Sequence, residues 1–196
     1  MAAELPELLL PDAAAWRNWL AENHAVSPGV WLVLGKKGGT VTSLTYDAAL
    51  DEALCFGWID GQLARRDAGS YRQRMTPRGP KSAWSARNVA HVERLEAAGR
   101  MHGAGRAAVA AAKADGRWEM AYAGQAAAEV PADLVAAVAA VPEAQAMFEV
   151  LTSVNRYALY YRLNALKTPA ARERKIAEFV QMLARHEAPY PQRKRP

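Results

Sequence analysis

The chain has 196 residues, 51% of them hydrophobic and 23% charged, a composition that suits a globular protein able to bury a core without disulfide or metal staples. Its single cysteine, Cys55, excludes an intramolecular disulfide, and no run reaches the roughly 18 uninterrupted apolar residues of a membrane-spanning helix. A net charge of +5 and a pI near 9.5 point toward anionic partners rather than away from them.

The leading MAAELPELLLPD carries Glu4 and Glu7 where an export signal would be positive, and its apolar run is short for one. A cytoplasmic protein is therefore expected, and a lone cysteine fits a reducing compartment. Asp12 followed by AAAWRNWLAEN predicts a capped amphipathic helix with Trp16, Trp19 and Leu20 on one face. Gly29 to Lys37 predicts a strand, and Lys37-Gly38-Gly39-Thr40 a turn. Thr45 then caps a helix reaching about Phe56, with Asp47 in its first turn and Gly57 at its end.

A hairpin follows. One strand runs from about Trp58 to Arg66, Asp67-Ala68-Gly69-Ser70 form the turn, and Tyr71 to Thr76 return. Pro77 and Pro80 force a loop, after which Ser82 or Ser85 caps a helix ending before Gly99. Further helices are predicted over 104–114, 132–140, 143–152, 156–166 and 170–185. Pro131, Pro142 and Pro169 stand at or beside helix starts, and Thr168 caps the last helix, whose apolar face holds Ile176, Phe179, Val180 and Leu183.

The expected fold class is α+β, a small antiparallel sheet with flanking helices followed by a helical C-terminal region. The expected organisation is an α+β domain over 1–115, a linker or wrapping segment over 116–130, a helical region packed on the first over 131–188, and a disordered basic tail over 189–196.

The polar groups concentrate around the hairpin. Strand alternation puts Trp58 and Asp60 on one face and Arg72 with Arg74 on one face of the return strand. Arg78 follows in the proline-bounded loop, and Ser82, Trp84, Ser85 and Asn88 lie at a helix start, where free N–H groups favour an anion. Read as a pocket, Arg74 and Arg78 grip a carboxylate or phosphate, Trp58 or Trp84 forms a flat wall, and Asp60 orients an arginine. Read as structure alone, Asp60 braces an arginine, the serines are caps and the tryptophans are core. Between Gln62 and Lys81 six basic residues face one acid, so a second reading has Arg65, Arg66, Arg72 and Lys81 on nucleic-acid phosphates with Tyr71 stacking on a base. A third makes Asp60 a general base.

Other signals carry less. His24, His91, His102 and His186 are scattered without metal-ligand spacing, so surface or capping roles and no metal are expected. Cys55 reads as a buried inert thiol. Gly103-Ala104-Gly105 lacks the third glycine and preceding strand of a dinucleotide fingerprint. Asp51 and Glu52 point in different directions and are expected to face solvent or brace a cation. No cofactor is expected.

The runs DEALCFGWIDGQ (51–62), TPR (76–78), SAWSARN (82–88) and GRMHGAG (99–105), with RERKIAEFVQMLA (172–184), together resemble the YdeI/OmpD-associated, or bacteriocin-protection, family over nearly the whole chain. The chain departs from that family's C-terminal pattern at Ala170, Ala171 and Arg172. The resemblance implies a relation to the YjbR/CyaY-like group, and hence an antiparallel sheet flanked by helices. It also implies a non-enzymatic protein of bacteriocin, antimicrobial-peptide or general stress tolerance, and together with the polar groups around the hairpin it makes a small anionic ligand or a protein partner the expected occupant.

Overall fold

Local side-chain chemistry sets the helix starts of this computed structural model, which describes residues 5–124, 129–166 and 168–196. The Asp12 carboxylate accepts from the Ala15 N–H at 2.8 Å and opens α1 (Ala13–Asn23). Thr45 does the same for α2 (Tyr46–Cys55) and Ser85 for α3 (Ala86–Ala97), each satisfying a donor that the first helical turn leaves open. His102 opens α4 (Gly103–Ala114) through its ring Nδ1, which accepts from the Ala104 N–H. Gly57 ends the α2 corner at φ 74° and Gly99 the α3 corner at φ 67°, backbone angles that a Cβ disfavours.

The sheet has four strands in the order β1 (Glu7–Leu8), β2 (Val30–Gly35), β4 (Ser70–Pro77), β3 (Trp58–Arg65). β3 and β4 form the expected hairpin and β4 pairs antiparallel with β2. β1 pairs parallel with β2, Glu7 opposite Trp31, so a two-residue parallel edge joins the expected antiparallel strands and makes the sheet mixed. Two residues are too few for an alternation to be read, and their partner strand lies far along the chain.

A bulge between Asp60 and Leu63 interrupts the hairpin register, and the buried Gln73 amide donates to the Gly61 carbonyl at 2.8 Å. That bond satisfies a backbone acceptor which the bulge takes out of the ladder.

The core of this part joins the sheet to α1 and α2 through Leu32, Leu34, Leu50, Leu54 and Met75. Trp16 and Trp19 stack at 5.2 Å, and the Trp58 ring meets both edge-on. Trp16 Nε1 donates to the Ala49 carbonyl and Trp58 Nε1 to the His24 carbonyl, so both buried indoles have partners. Gly105 lies against the end of α2, where a Cβ would press into the Cys55 carbonyl. The glycine read above as a poor dinucleotide signal is thus a close-approach position between α2 and α4.

The chain divides into two compact units, Met1–Ala121 and Tyr122–Pro196. The division falls inside the segment 116–130 that the sequence marks as a linker; its residues 125–128 lie outside the described ones. The second unit holds α5 (Ala132–Ala139), α6 (Pro142–Glu149), α7 (Ser153–Asn164) and α8 (Pro169–Ala184). Pro142 and Pro169 open α6 and α8, and Thr168 caps α8.

Leu134, Met147, Leu159, Leu163, Phe179 and Leu183 form the core of this unit, and Asp133 and Arg172 join α5 to α8 at 2.6 Å. The buried Asn155 side chain accepts from the Tyr190 N–H and donates to the Gln192 side chain. Two residues of the tail expected from 189 onward are therefore held against α7.

Candidate functional site

The residues singled out from the sequence fall into two groups. Trp58 is 1% exposed and belongs to the tryptophan core under α1. Two residues along β3, the Asp60 carboxylate accepts from the Tyr46 hydroxyl at 2.8 Å. Burial, then the Asp60 bond, push the Tyr46 hydroxyl well above the usual phenol range and keep it a donor. Arg74 is exposed and lays its aliphatic stem along Gly61. No ion pair joins Asp60 to Arg74 or to Arg78 among the described residues, so the expected brace is replaced by Tyr46.

The second group converges. The Arg78 guanidinium lies 3.6 Å from the centroid of the Trp84 ring and donates to the Ala83 carbonyl. Ser82 Oγ accepts from the Gly79 N–H at 3.0 Å and closes the loop, while Arg117 donates to the Ser82 carbonyl. Ser85 is the cap of α3, and Asn88, 6% exposed, sits in its first turn. Trp84 is 2% exposed and meets Trp118 edge-on at 4.9 Å. Lys113 stands 5.2 Å from the Trp118 centroid. Arg78, Trp84, Trp118 and Lys113 thus alternate cation, ring, ring, cation. The buried Trp84 Nε1 has no hydrogen-bond partner among the described residues.

That ladder backs onto a groove of about 440 Å³. Val92, Glu93, Glu96 and Ala97 of α3 form one wall and Arg106, Val109, Ala110 and Lys113 of α4 the other, with Trp118 completing it. Glu96 pairs with Arg106 at 2.9 Å. None of these groove residues was singled out in the sequence. The available signal was the pairing of apolar Val92 with Val109 and Ala110 on two helices joined by a short Gly99 turn, each helix also carrying charges of one sign toward the other.

The basic hairpin is partly neutralised. Arg66 pairs with Glu7 at 2.8 Å and Asp67 at 2.7 Å, and Arg72 reaches Glu7 at 3.5 Å while lying over Trp31. Tyr71 packs against the core and burial raises its hydroxyl pKa. Arg65 and Lys81 are exposed and form no ion pair among the described residues.

Asp51 and Glu52 build a further cluster. Glu52 is 4% exposed and is gripped by Arg17 at 2.7 Å and by Arg100. Asp51 accepts from Arg94 at 2.6 Å and pairs with His91 at 2.8 Å. Burial raises the Asp51 pKa, but the bonds from Arg94 and His91 more than offset it and hold the carboxyl below its usual range. Both carboxylates therefore brace cations. Their neighbour Cys55 is fully buried, and burial pushes its thiol up even with Arg17 beside it. Among the described residues no group of three or more His, Cys, Asp or Glu side chains is placed to hold a metal ion, and no helix is long and apolar enough to cross a membrane.

A family described as Domain of unknown function (DUF8412) matches residues 8–108, and the chain belongs to that family. The first unit, with its mixed sheet and the α3–α4 groove, is thus the part that defines the class. A second family, described as Bacteriocin-protection, YdeI or OmpD-Associated, matches residues 127–186 in the helical unit. The motifs between Asp51 and Gly105 that carry the resemblance noted above fall within the first of these matches. Nothing in either supports a relation to the YjbR/CyaY-like group. Neither a curated protein nor a solved structure matches the chain.

Proposed function

We propose that this chain is a cytoplasmic, non-enzymatic binding protein of the bacteriocin-protection type, and that it takes a ligand or partner in the groove between α3 and α4. The observation that carries the binding role is the groove itself. It is an apolar trough of about 440 Å³, within the roughly 300–1,000 Å³ of small-ligand sites, and it is supported from behind by the Arg78–Trp84–Trp118–Lys113 ladder. The signature residues Arg78, Ser82, Trp84 and Ser85 then serve the site by shaping its support. The bacteriocin-protection family that matches residues 127–186 supports the tolerance role.

The nucleic-acid reading of Arg65, Arg66, Arg72 and Lys81 ranks below this, since Glu7 engages two of those four cations. An Asp60 general base ranks lower still, because the Tyr46 hydroxyl occupies its carboxylate.

Survival assays test the proposal. A bacteriocin-sensitive host expressing the chain is expected to survive a challenge that kills the empty host, and Trp118→Ala, at equal soluble level, is expected to lose that advantage. Equal survival of the two hosts would overturn the tolerance role. Unchanged protection by the variant would remove the groove from it.

A further inference from the structure

Resting on the groove as the binding site, we propose that its occupant is a free α-amino acid with a large apolar side chain, held as a zwitterion between Glu93 and Lys113. The charges lining the groove are sorted by wall, acids on α3 and bases on α4. Glu96 and Arg106 already satisfy each other at 2.9 Å. Glu93 and Lys113, both exposed, form no ion pair among the described residues.

A net anion in this groove would meet two carboxylates, and a net cation would meet an ammonium and a guanidinium. A molecule carrying one ammonium and one carboxylate on the same carbon meets neither conflict. Its ammonium donates to Glu93 and its carboxylate accepts from Lys113. Its side chain covers Val109, Ala110 and the Trp118 ring, apolar surface that water otherwise wets. The volume favours a compact ligand of this size over a docked helix.

The test uses the full chain and ligand-observed NMR or calorimetry. Phenylalanine and leucine are the zwitterionic probes. N-acetylphenylalanine lacks the ammonium, phenylalaninamide lacks the carboxylate, and indole is the neutral apolar probe. Phenylalanine is expected to bind about tenfold more tightly than either derivative.

Glu93→Gln should weaken phenylalanine about tenfold without weakening N-acetylphenylalanine, and Lys113→Met should do the same for phenylalanine without weakening the amide. Ala110→Trp, at an exposed helical position that fills the trough, should abolish all binding. If phenylalanine, its derivatives and indole bind alike and Ala110→Trp blocks them all, the zwitterion proposal falls while the groove stands as an apolar site. If nothing binds, indole included, the groove reading falls with it. Insensitivity of phenylalanine binding to both charge variants also overturns the proposal.

Discussion

Arg17 and Arg100 meet the carboxylate of Glu52, whereas Arg78 and Lys113 meet the rings of Trp84 and Trp118. The two clusters belong to the same unit and solve the same problem, since a cation near a core needs compensation. In the first, a buried acid needs both arginines, and the ion pairs tie α1, α2 and the turn between α3 and α4 together. In the second, the ring face attracts a cation without cancelling its charge. The carboxylate cluster is therefore a staple, and the ring ladder leaves a positive edge on the α4 wall of the groove.

Trp84→Ala should have the largest effect, because it removes the middle of the ladder from a site that is 2% exposed; a cost of about 3–5 kcal/mol in urea unfolding is expected for a buried aromatic of this size. A cost under about 1 kcal/mol would mean that the surrounding structure does not rest on this ring.

Glu52→Gln breaks the other cluster. Arg17 and Arg100 keep 37% and 40% of their side-chain surface exposed, so the expected cost is about 2–3 kcal/mol, below the roughly 3–5 of a fully buried broken pair. A neutral result would show that water already compensates those arginines.

Asp51 gives a smaller, pH-gated effect. Its folded pKa lies below the usual 3.8. Its stabilisation is then full above the unfolded value and is lost as pH falls through the folded one. The stability difference between the natural chain and Asp51→Asn should be constant near neutrality and shrink below about pH 4. A difference that grows on acidification would contradict this sign.

Arg78→Lys sharpens the comparison with the smallest change. Charge is kept and the planar stack at 3.6 Å is lost, for an expected cost of about 0.5–1 kcal/mol. A larger cost would mean that the guanidinium's donors, rather than its stacking, hold the loop.

How far the site was legible follows from the range of the interactions involved. Asp12, Thr45, Ser85 and Thr168 are readable as caps because a cap is decided by a side chain and a backbone N–H three residues on. Trp58 and Trp84 are both readable as flat apolar side chains beside polar neighbours. Their separation is not: Trp58 goes to Trp16 and Trp19, and Trp84 to Trp118. Sequence proximity points to Arg74 or Arg78 as the Asp60 partner, yet the partner is Tyr46 on the preceding helix. The bulge lies between Asp60 and Leu63, so it leaves the alternation within Trp58–Asp60 and within Arg72–Arg74 intact and shifts only the hairpin register beyond them.

The sequence by itself determined the helix caps at Asp12, Thr45, Ser85 and Thr168, the β3–β4 hairpin and its turn, the placement of Pro142 and Pro169 at helix starts, and the mixed α and β character of the first unit. These depend on contacts within a few residues and on the periodicity of apolar side chains. The α6–α7 corner, by contrast, falls at Thr152, inside the helix expected over 143–152. Only the tertiary structure decided the parallel pairing of β1, the burial of Glu52 between two arginines, and the groove between α3 and α4 with its acidic and basic walls. Each of these depends on side chains or strands brought together from distant parts of the chain, and a linear pattern carries no record of which faces will meet.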